Sequence, residues 1–347
     1  MPAERPFVTV LVPCRNERAY IAPCLDSILA TQYPPDRYEV LVVDGRSDDG
    51  TRDIVAAYAA RHRAVRLVDN PQRITPTALN TGIRAAAGEI VVRMDAHVFY
   101  PPEYIPRLVA ALDAMGADNV GGVLVTRPAN DRPTARAIAV ALSHPFGVGN
   151  SYFRIGVRAP RWVDTIAFFC CRKELFGRIG LFDEELVRHQ DGEFNGRLIK
   201  HGGRILLLPD VTSYYYARGS LGQVSRMYFQ YGYFKPLVAR KLGRIMSARQ
   251  MIPPAFVVAL AATGLSAPWL PVAAVMFAAI AGAYAATVLT CAGLAARRHG
   301  IRCALALIAV FPVLHVSYGC GFLRRLVGMF RVGRQPARDV AELPLSR

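Results

Sequence analysis

Tyr38-Glu-Val-Leu-Val-Val-Asp44-Gly-Arg-Ser-Asp48-Asp-Gly-Thr51 reads as a strand that ends on a carboxylate and turns, through glycines and short polar residues, into a segment with helical spacing. The same pattern recurs on either side of it. Upstream, the apolar run 7–12 breaks at Pro13-Cys-Arg-Asn16-Glu17 and passes into helical periodicity over 18–30. Downstream, β-rich runs at 65–68, 89–95 and 120–125 alternate with helical stretches at 51–62, 76–87 and 102–115. Such alternation predicts βαβ units, hence an α/β fold with a mixed, mostly parallel sheet flanked by helices. Sheets of this kind bind ligands at the carboxyl ends of their strands. The acidic and glycine-rich segments 13–17, 44–51 and 95–97 all fall there.

Residues 126–170 are less regular and rich in Pro, Gly and aromatics, including Phe146-Gly-Val-Gly-Asn-Ser-Tyr-Phe153. They read as loops shaping an acceptor cleft, with disorder as the alternative. Helices are expected near 172–179 and 191–201, with a strand at 204–209. Apolar residues then recur at helical spacing from Val224 to Ile245, with Arg226, Lys235, Arg240, Lys241 and Arg244 among them. That pattern predicts an amphipathic interfacial helix, or two broken near Pro236. From 252 to 296 there is no Asp, Glu, Lys, Arg or His over 45 residues. One helix of that length would extend roughly 68 Å, about twice the ~30 Å hydrocarbon core, so two passes broken at Pro268-Trp-Leu-Pro271 are expected. A further run, 303–323, carries only His315.

The net charge is +16, and beyond Glu193 there are 19 Lys and Arg against Asp210, Asp339 and Glu342. Beside apolar spans such basic residues meet anionic headgroups, so membrane lipids are the expected partner and nucleic acid is not. The 7 cysteines (14, 24, 170, 171, 291, 303, 320) make no C-x-x-C pair and read as small core residues in a reducing compartment. The N-terminal residues lack an apolar stretch of signal-peptide type, so the polar part is expected in the cytoplasm. Arg297, Arg298, His299 and Arg302 return to that side after a two-pass hairpin. A full third pass would set Arg324, Arg325, Arg331, Arg334 and Arg338 outside, against the positive-inside rule. Either the last segment, with Pro312 inside it, re-enters the same face, or the charge bias is overridden.

Three acidic stations carry the chemistry. Asp44 can accept hydrogen bonds from a nucleobase or ribose, whereas Asp48 and Asp49 read as caps of the following helix. In Val-Val-Arg-Met-Asp95-Ala-His97, a carboxylate and an imidazole at i and i+2 can share one cation with a diphosphate, which suits Mn²⁺ or Mg²⁺, or the segment can equally be a surface turn. In His189-Gln-Asp191-Gly-Glu193, one carboxylate can serve as general base toward a sugar hydroxyl, or the segment can simply cap the next helix.

Taken in order, these stations resemble family 2 glycosyltransferases of the GT-A fold, closest to the bacterial succinoglycan-biosynthesis type. The resemblance rests on Val10-Leu-Val-Pro13-Cys-Arg-Asn16-Glu17, Val-Val-Asp44-Gly-Arg-Ser-Asp-Asp-Gly-Thr51, Asn70-Pro, Ala78-Leu-Asn80-Thr-Gly82-Ile, Ala86-Ala-Gly88-Glu, Met-Asp95-Ala-His97 and Gln-Asp191-Gly-Glu193-Phe-Asn-Gly-Arg197. It implies that Pro13, Arg15, Glu17 and Asp44 line the nucleoside pocket, with Arg73 on the base or diphosphate. Asp95 would bind donor and metal, His97 would take the last place of the family's Asp-x-Asp motif, and Asp191 would be the catalytic base. Gln190 replaces the usual Glu beside that base, which predicts an Asp191 pKa less prone to rise. Gln230-Tyr-Gly-Tyr-Phe-Lys235 does not match the Gln-x-x-Arg-Trp of processive members, so a polymerase is disfavoured.

The implied activity is inverting transfer from a nucleotide-sugar, a UDP-hexose such as UDP-glucose, to a polyprenyl-linked glycan in exopolysaccharide or cell-envelope synthesis. Other polysaccharide-assembly proteins are further expected partners, and the plasma (inner) membrane is the expected location. The predicted organisation is a catalytic domain over 1–215, interfacial helices over 216–250, a membrane domain over 251–325 and a basic, disordered tail over 326–347. Two rivals share the fold: a transferase acting on bare polyprenyl phosphate and a non-catalytic membrane scaffold. A dinucleotide-binding dehydrogenase would need G-x-G-x-x-G where Pro13-Cys-Arg-Asn-Glu17 stands.

Overall fold

The computed structural model describes residues 5–245 and 247–330. In chain order the elements are β1 (Val8–Cys14), α1 (Ile21–Leu29), β2 (Tyr38–Asp44), α2 (Thr51–Arg61), β3 (Val65–Asp69), α3 (Thr75–Ala85), β4 (Ile90–Arg93), β5 (Val98–Phe99), α4 (Tyr104–Ala114), β6 (Asn119–Arg127), α5 (Pro133–Leu142), α6 (Pro145–Val148), α7 (Tyr152–Ile155), β7 (Arg161–Trp162), β8 (Cys170–Arg172), α8 (Glu174–Ile179), α9 (Gln190–Lys200), β9 (Ile205–Tyr216), α10 (Leu221–Leu242), α11 (Ile252–Ser266), α12 (Pro271–His299) and α13 (Ile301–Phe330). Two compact units emerge. One is built from the chain up to Val125 together with Ser151–Tyr215, the other from Thr126–Asn150 together with the chain from Tyr216 onward.

The first unit holds a sheet of order β3-β2-β1-β4-β8-β6-β9-β5, with β7 added on β9. Strands β1 to β4 run parallel, Cys14 standing opposite Asp44 and Leu11 opposite Arg93. Strand β8 is antiparallel to both β4 and β6, and β5 and β7 are antiparallel to β9. The β1 to β4 side chains alternate between two buried layers, as a sheet covered on both faces requires. Val8, Val10 and Val12 pack with Ile21, Leu25, Val55 and Leu108 of α1, α2 and α4. Leu11, Leu41 and Val91 pack with Leu79, Ile83, Phe176, Phe194 and Leu198 of α3, α8 and α9. The expected strand over 89–95 is shorter than predicted: β4 stops at Arg93, and the chain turns so that Val98 pairs with Tyr215.

In the second unit, α13 is the hub and packs along α10, α12, α5 and α11. Among the described residues, three helices are long and apolar enough to cross a membrane: Ala248–Ser266, Pro271–His299 and Ile301–Met329. Little of the first two is buried within the protein, which leaves their apolar surfaces for lipid. Of the two alternatives at Pro236, the structure has the single helix: α10 runs unbroken through it, and α13 likewise runs through Pro312. Residues 326–330, expected in the tail, belong to α13, and 331–347 lie outside the described residues.

The irregularity expected over 126–170 is also only partly present. Pro133 opens α5 at its first turn instead of breaking the chain, and Ala135, Ile138 and Leu142 of that helix are buried. Thr126–Asn150, placed by sequence in the catalytic domain, therefore clusters with the apolar helices.

Helices α10 and α13 run parallel at a constant register. Ser225 meets Ser317 at 2.8 Å, Phe229 lies against Gly321, and Tyr233 meets Arg325 at 3.2 Å. Glycine at the crossing lets the two backbones touch: a Cβ on Gly321 would collide with the Phe229 carbonyl, and one on Gly232 with the Tyr318 carbonyl. Gly321→Ala is accordingly expected to lose about 1–3 kcal/mol of stability or more. Thermal melting in detergent should show this, while Gly282→Ala, whose added methyl meets nothing within 4 Å, melts like the parent. Equal melting of all three proteins would contradict the crossing.

Candidate active site

Strands β1 and β2 end level with one another, and the loops that follow are joined by side-chain hydrogen bonds. Asn16 N–H donates to Ser47 Oγ at 2.8 Å, Asp48 N–H to Asn16 Oδ1 at 3.0 Å, and Glu17 N–H to Thr51 Oγ1 at 2.9 Å. Asp49 holds Thr51 N–H at 3.0 Å at the start of α2, a cap-like role. Asp44 is fully buried beneath these loops. Its oxygens accept from Ser47 N–H at 3.0 Å, from Ser47 Oγ, from Arg52 Nη1 at 2.8 Å and from the Cys14 thiol at 3.6 Å. Four donors use a carboxylate's acceptor capacity, so a ligand reaches Asp44 only by exchanging one of these bonds. Arg52 extends the network to Asp69 at 2.9 Å. Gly45 then lets the loops carrying two exposed arginines approach: the space where a Cβ would sit lies 3.3 Å from both the Arg15 side chain and the Arg73 backbone. Pro13, Arg15, Asp44 and Arg73 thus gather at one strand edge.

One strand further along the sheet, β4 delivers a second group. The Arg93 guanidinium, only 6 % exposed, donates through Nε to Asp95 at 2.8 Å and through Nη2 at 3.2 Å, and Nη1 grips Asp191. Asp191 comes from the first turn of α9, 98 residues away in sequence. A single buried cation therefore joins the Asp95 and Asp191 carboxylates, which stay 17 % and 29 % exposed. His97 Nδ1 lies 3.3 Å from Glu17 Oε1, linking this group back to the β1 loop. Asp44 and Asp95 flank β1 at the same sheet edge, roughly 10 Å apart by strand spacing. Asn16, Arg46, Arg73 and His189 all adopt positive φ, and each lies in a loop of this rim.

Burial pushes the Asp191 carboxyl up to about 6, Arg93 opposes the shift and Asp95 adds to it. This corrects the expectation drawn from Gln190: removing one neighbouring charge matters less than desolvation of the site. The Cys14 and Cys24 thiols, beside Asp44 and Asp95, are likewise raised by burial and stay neutral. Asp95 and His97 are the pair that sequence assigns to a cation. Among the described residues no cluster of three or more His, Cys, Asp or Glu is arranged to hold a metal. One carboxylate and one imidazole fit Mg²⁺ or Mn²⁺ only when a ligand such as a diphosphate supplies the remaining oxygens, the usual arrangement for such ions.

Arg93 is the site residue that sequence reasoning missed. Its signal was present in Val-Val-Arg93-Met-Asp95, where a charge interrupts an otherwise apolar strand. Glu193 was also open to a chemical role, but its oxygens are bound by Arg197 at 2.8 and 2.9 Å. Arg197 in turn donates to the carbonyls of Gly180 and Leu181, so this pair fixes α9 against the preceding loop.

Residues 9–184 match the family model for glycosyl transferase family 2. The succinoglycan biosynthesis protein ExoA of Rhizobium meliloti (strain 1021) is 30 % identical over 93 % of this chain and 96 % of its own. A dolichyl N-acetyl-alpha-D-glucosaminyl phosphate 3-beta-D-2,3-diacetamido-2,3-dideoxy-beta-D-glucuronosyltransferase of Methanococcus voltae is 26 % identical over 68 % of this chain and 74 % of its own. Among solved structures, the mannosyltransferase PcManGT from Pyrobaculum calidifontis, in complex with GDP-Man and Mn²⁺, superposes with a TM-score of 0.61 at 25 % identity. That match covers 94 % of this chain and 88 % of the other. The chain belongs to glycosyltransferase family 2, its fold is of the GT-A type, and it is a glycosyltransferase.

With Asp191 as the base proposed below, which must be ionised to accept a proton, the transfer rate is expected to fall as pH drops through about 6. Arg93→Gln removes the cation favouring the ionised form and should move this acid limb to higher pH. Initial rates measured from pH 4.5 to 8.5 test this, and an unmoved limb in the variant would contradict it.

Proposed function

We propose that the protein transfers a hexosyl group from a nucleotide-sugar, a UDP-hexose such as UDP-glucose, to a membrane lipid-linked saccharide with inversion at the anomeric carbon. The observation that carries this reading is the Arg93 bridge, which holds the Asp95 and Asp191 carboxylates on one guanidinium. The donor nucleotide lies along the Pro13, Arg15, Glu17, Asp44 and Arg73 edge, with its diphosphate toward Asp95. Asp95 and His97 would hold Mn²⁺ or Mg²⁺ together with the diphosphate, and the ion would supply charge neutralisation for the leaving group. Asp191 takes the proton from the acceptor hydroxyl as that oxygen attacks the anomeric carbon opposite the diphosphate. One displacement inverts the centre, so an α-linked donor gives a β-linked product.

The names of the relatives support the acceptor class. One acts in succinoglycan biosynthesis and another is named for a dolichyl-linked saccharide phosphate. A place in exopolysaccharide or cell-envelope glycan assembly, beside other assembly proteins, follows from that class. The three apolar helices support a membrane location, and charge supports the orientation. Arg240, Lys241, Arg244 and Arg249 precede α11, Arg297, Arg298 and Arg302 flank the α12–α13 junction, and 266–271 carries no charge. By the positive-inside rule the basic ends, and the catalytic unit with them, face the cytoplasm at the plasma membrane.

Asp191→Asn is expected to lower turnover about 10²- to 10⁴-fold while leaving donor affinity within a few-fold of the parent. Radiolabel transfer from UDP-, GDP- and dTDP-sugars, alongside calorimetric donor binding, measures both, and comparable turnover would remove Asp191 from the role. Label appearing on bare polyprenyl phosphate would replace the saccharide acceptor by the lipid phosphate itself. The imidazole ligand tilts preference toward Mn²⁺ over Mg²⁺. Titration of the two metals against wild type and His97→Asp should therefore show the preference shrinking in the variant, and identical profiles would refute a ligand role for His97.

A further inference from the structure

One cation beside this rim has no role in the account so far. Arg154, in α7, is half-buried, and its guanidinium lies 5.4 Å from the Phe153 ring centre and 5.6 Å from that of Tyr215. Tyr215 is fixed by β-pairing to Val98, the residue after His97, and its ring meets the His97 imidazole edge-on at 5.7 Å. Arg154 is thus one aromatic ring away from the residue assigned to the metal. Its Nη1 is sealed from solvent and has no hydrogen-bond partner among the described residues, and its side chain forms no ion pair among them. The neighbouring carboxylates are otherwise engaged: Glu17 with His97, and Asp95 and Asp191 with Arg93.

A guanidinium packed on aromatic rings keeps its N–H groups pointing outward in its own plane, the geometry that matches two oxygens of a phosphoryl group. A sealed N–H donor with no protein acceptor calls for an acceptor from elsewhere, and a phosphoryl oxygen is one that a guanidinium fits.

We propose that Arg154 is a phosphoryl-binding residue, taking an oxygen pair from a substrate phosphate that enters beside His97. The phosphate belongs either to the donor's diphosphate or to the lipid carrying the acceptor. This assignment builds on the transferase reading above but tests separately from it.

The experiment uses the full chain in detergent micelles and compares wild type, Arg154→Gln, Arg154→Lys and Asp191→Asn by calorimetry. Inorganic pyrophosphate is the first probe. Its affinity is expected to fall about 10- to 100-fold in Arg154→Gln and less in Arg154→Lys, and to stay unchanged in Asp191→Asn. The lysine variant keeps the test open if the glutamine variant misfolds. UDP and GDP with Mn²⁺ form the second arm, and undecaprenyl phosphate against undecaprenol the third. A loss confined to the nucleotides assigns Arg154 to the donor. A loss confined to undecaprenyl phosphate, with undecaprenol unaffected, assigns it to the acceptor. In either case the Michaelis constant for that substrate should rise by more than the turnover number falls.

Equal pyrophosphate affinity in wild type and both Arg154 variants overturns the proposal. So does a pyrophosphate loss unaccompanied by weakening in either substrate arm, which would mark an adventitious anion site. Asp191→Asn turning over like wild type would instead strike the transferase base and leave the Arg154 result standing.

Discussion

The geometry of the site depends on one buried cation. Arg93 ends β4 with its guanidinium between Asp95 and Asp191, and without it two carboxylates would face each other in a poorly hydrated space. Like charges so placed cannot both ionise readily, and burial alone already raises Asp191. The cation makes their coexistence tolerable and fixes their separation. Buried ion pairs contribute little net stability, but truncating one partner typically costs about 3–5 kcal/mol because a charge is left uncompensated. What such a bridge secures best is position. The parallel pairing of β1 and β4, with Leu11 opposite Arg93, sets the height of the guanidinium above the sheet. Asp191 is brought to it by a helix that Arg197 and Glu193 anchor to the loop before it.

From this bridge the rim extends in both directions without relying on backbone regularity. Toward β2, His97 meets Glu17, and the loop carrying Glu17 is tied to 44–51 by Asn16, Ser47 and Thr51. Toward β9, the His97 ring rests on Tyr215. Among the described residues, the four non-glycine ones with positive φ are distributed among the loops of this rim. Such strain persists only where surrounding bonds over-determine the conformation, and here the side-chain bonds between loops do so. A phosphoryl- or glycosyl-transfer site gains from that rigidity, since a bound sugar diphosphate then finds its partners already oriented.

Much of this was legible in the sequence. Alternating periods of two and 3.6 residues predict the sheet, and Asp44, Asp95 and Asp191 sit at strand or helix ends where such a sheet gathers its loops. Pair identities were not legible, because they come from tertiary packing. Nothing local to Asp44 says that Arg52 and Ser47 occupy it. Nothing local to Gln190 says that desolvation outweighs the missing Glu. Segment 126–170 was misjudged because Pro133 and the glycines read as breakers, whereas a proline in the first turn opens a helix. Pro236 left one helix or two open in the sequence, and α10 and α13 run unbroken through Pro236 and Pro312 where they pack against each other. The α10–α13 crossing depends on glycines whose meaning appears only when two distant helices are set side by side.

The central claim is that a single sugar diphosphate lies along the rim joining Asp44, Asp95 and Asp191. The most direct measurement is an anomalous-scattering map of crystals grown with Mn²⁺ and UDP. The account predicts a manganese peak at Asp95 and His97, the diphosphate beside it, and Asp191 facing the vacant position of the sugar. A peak elsewhere, or a nucleotide bound in a cleft that none of these three carboxylates borders, would contradict it.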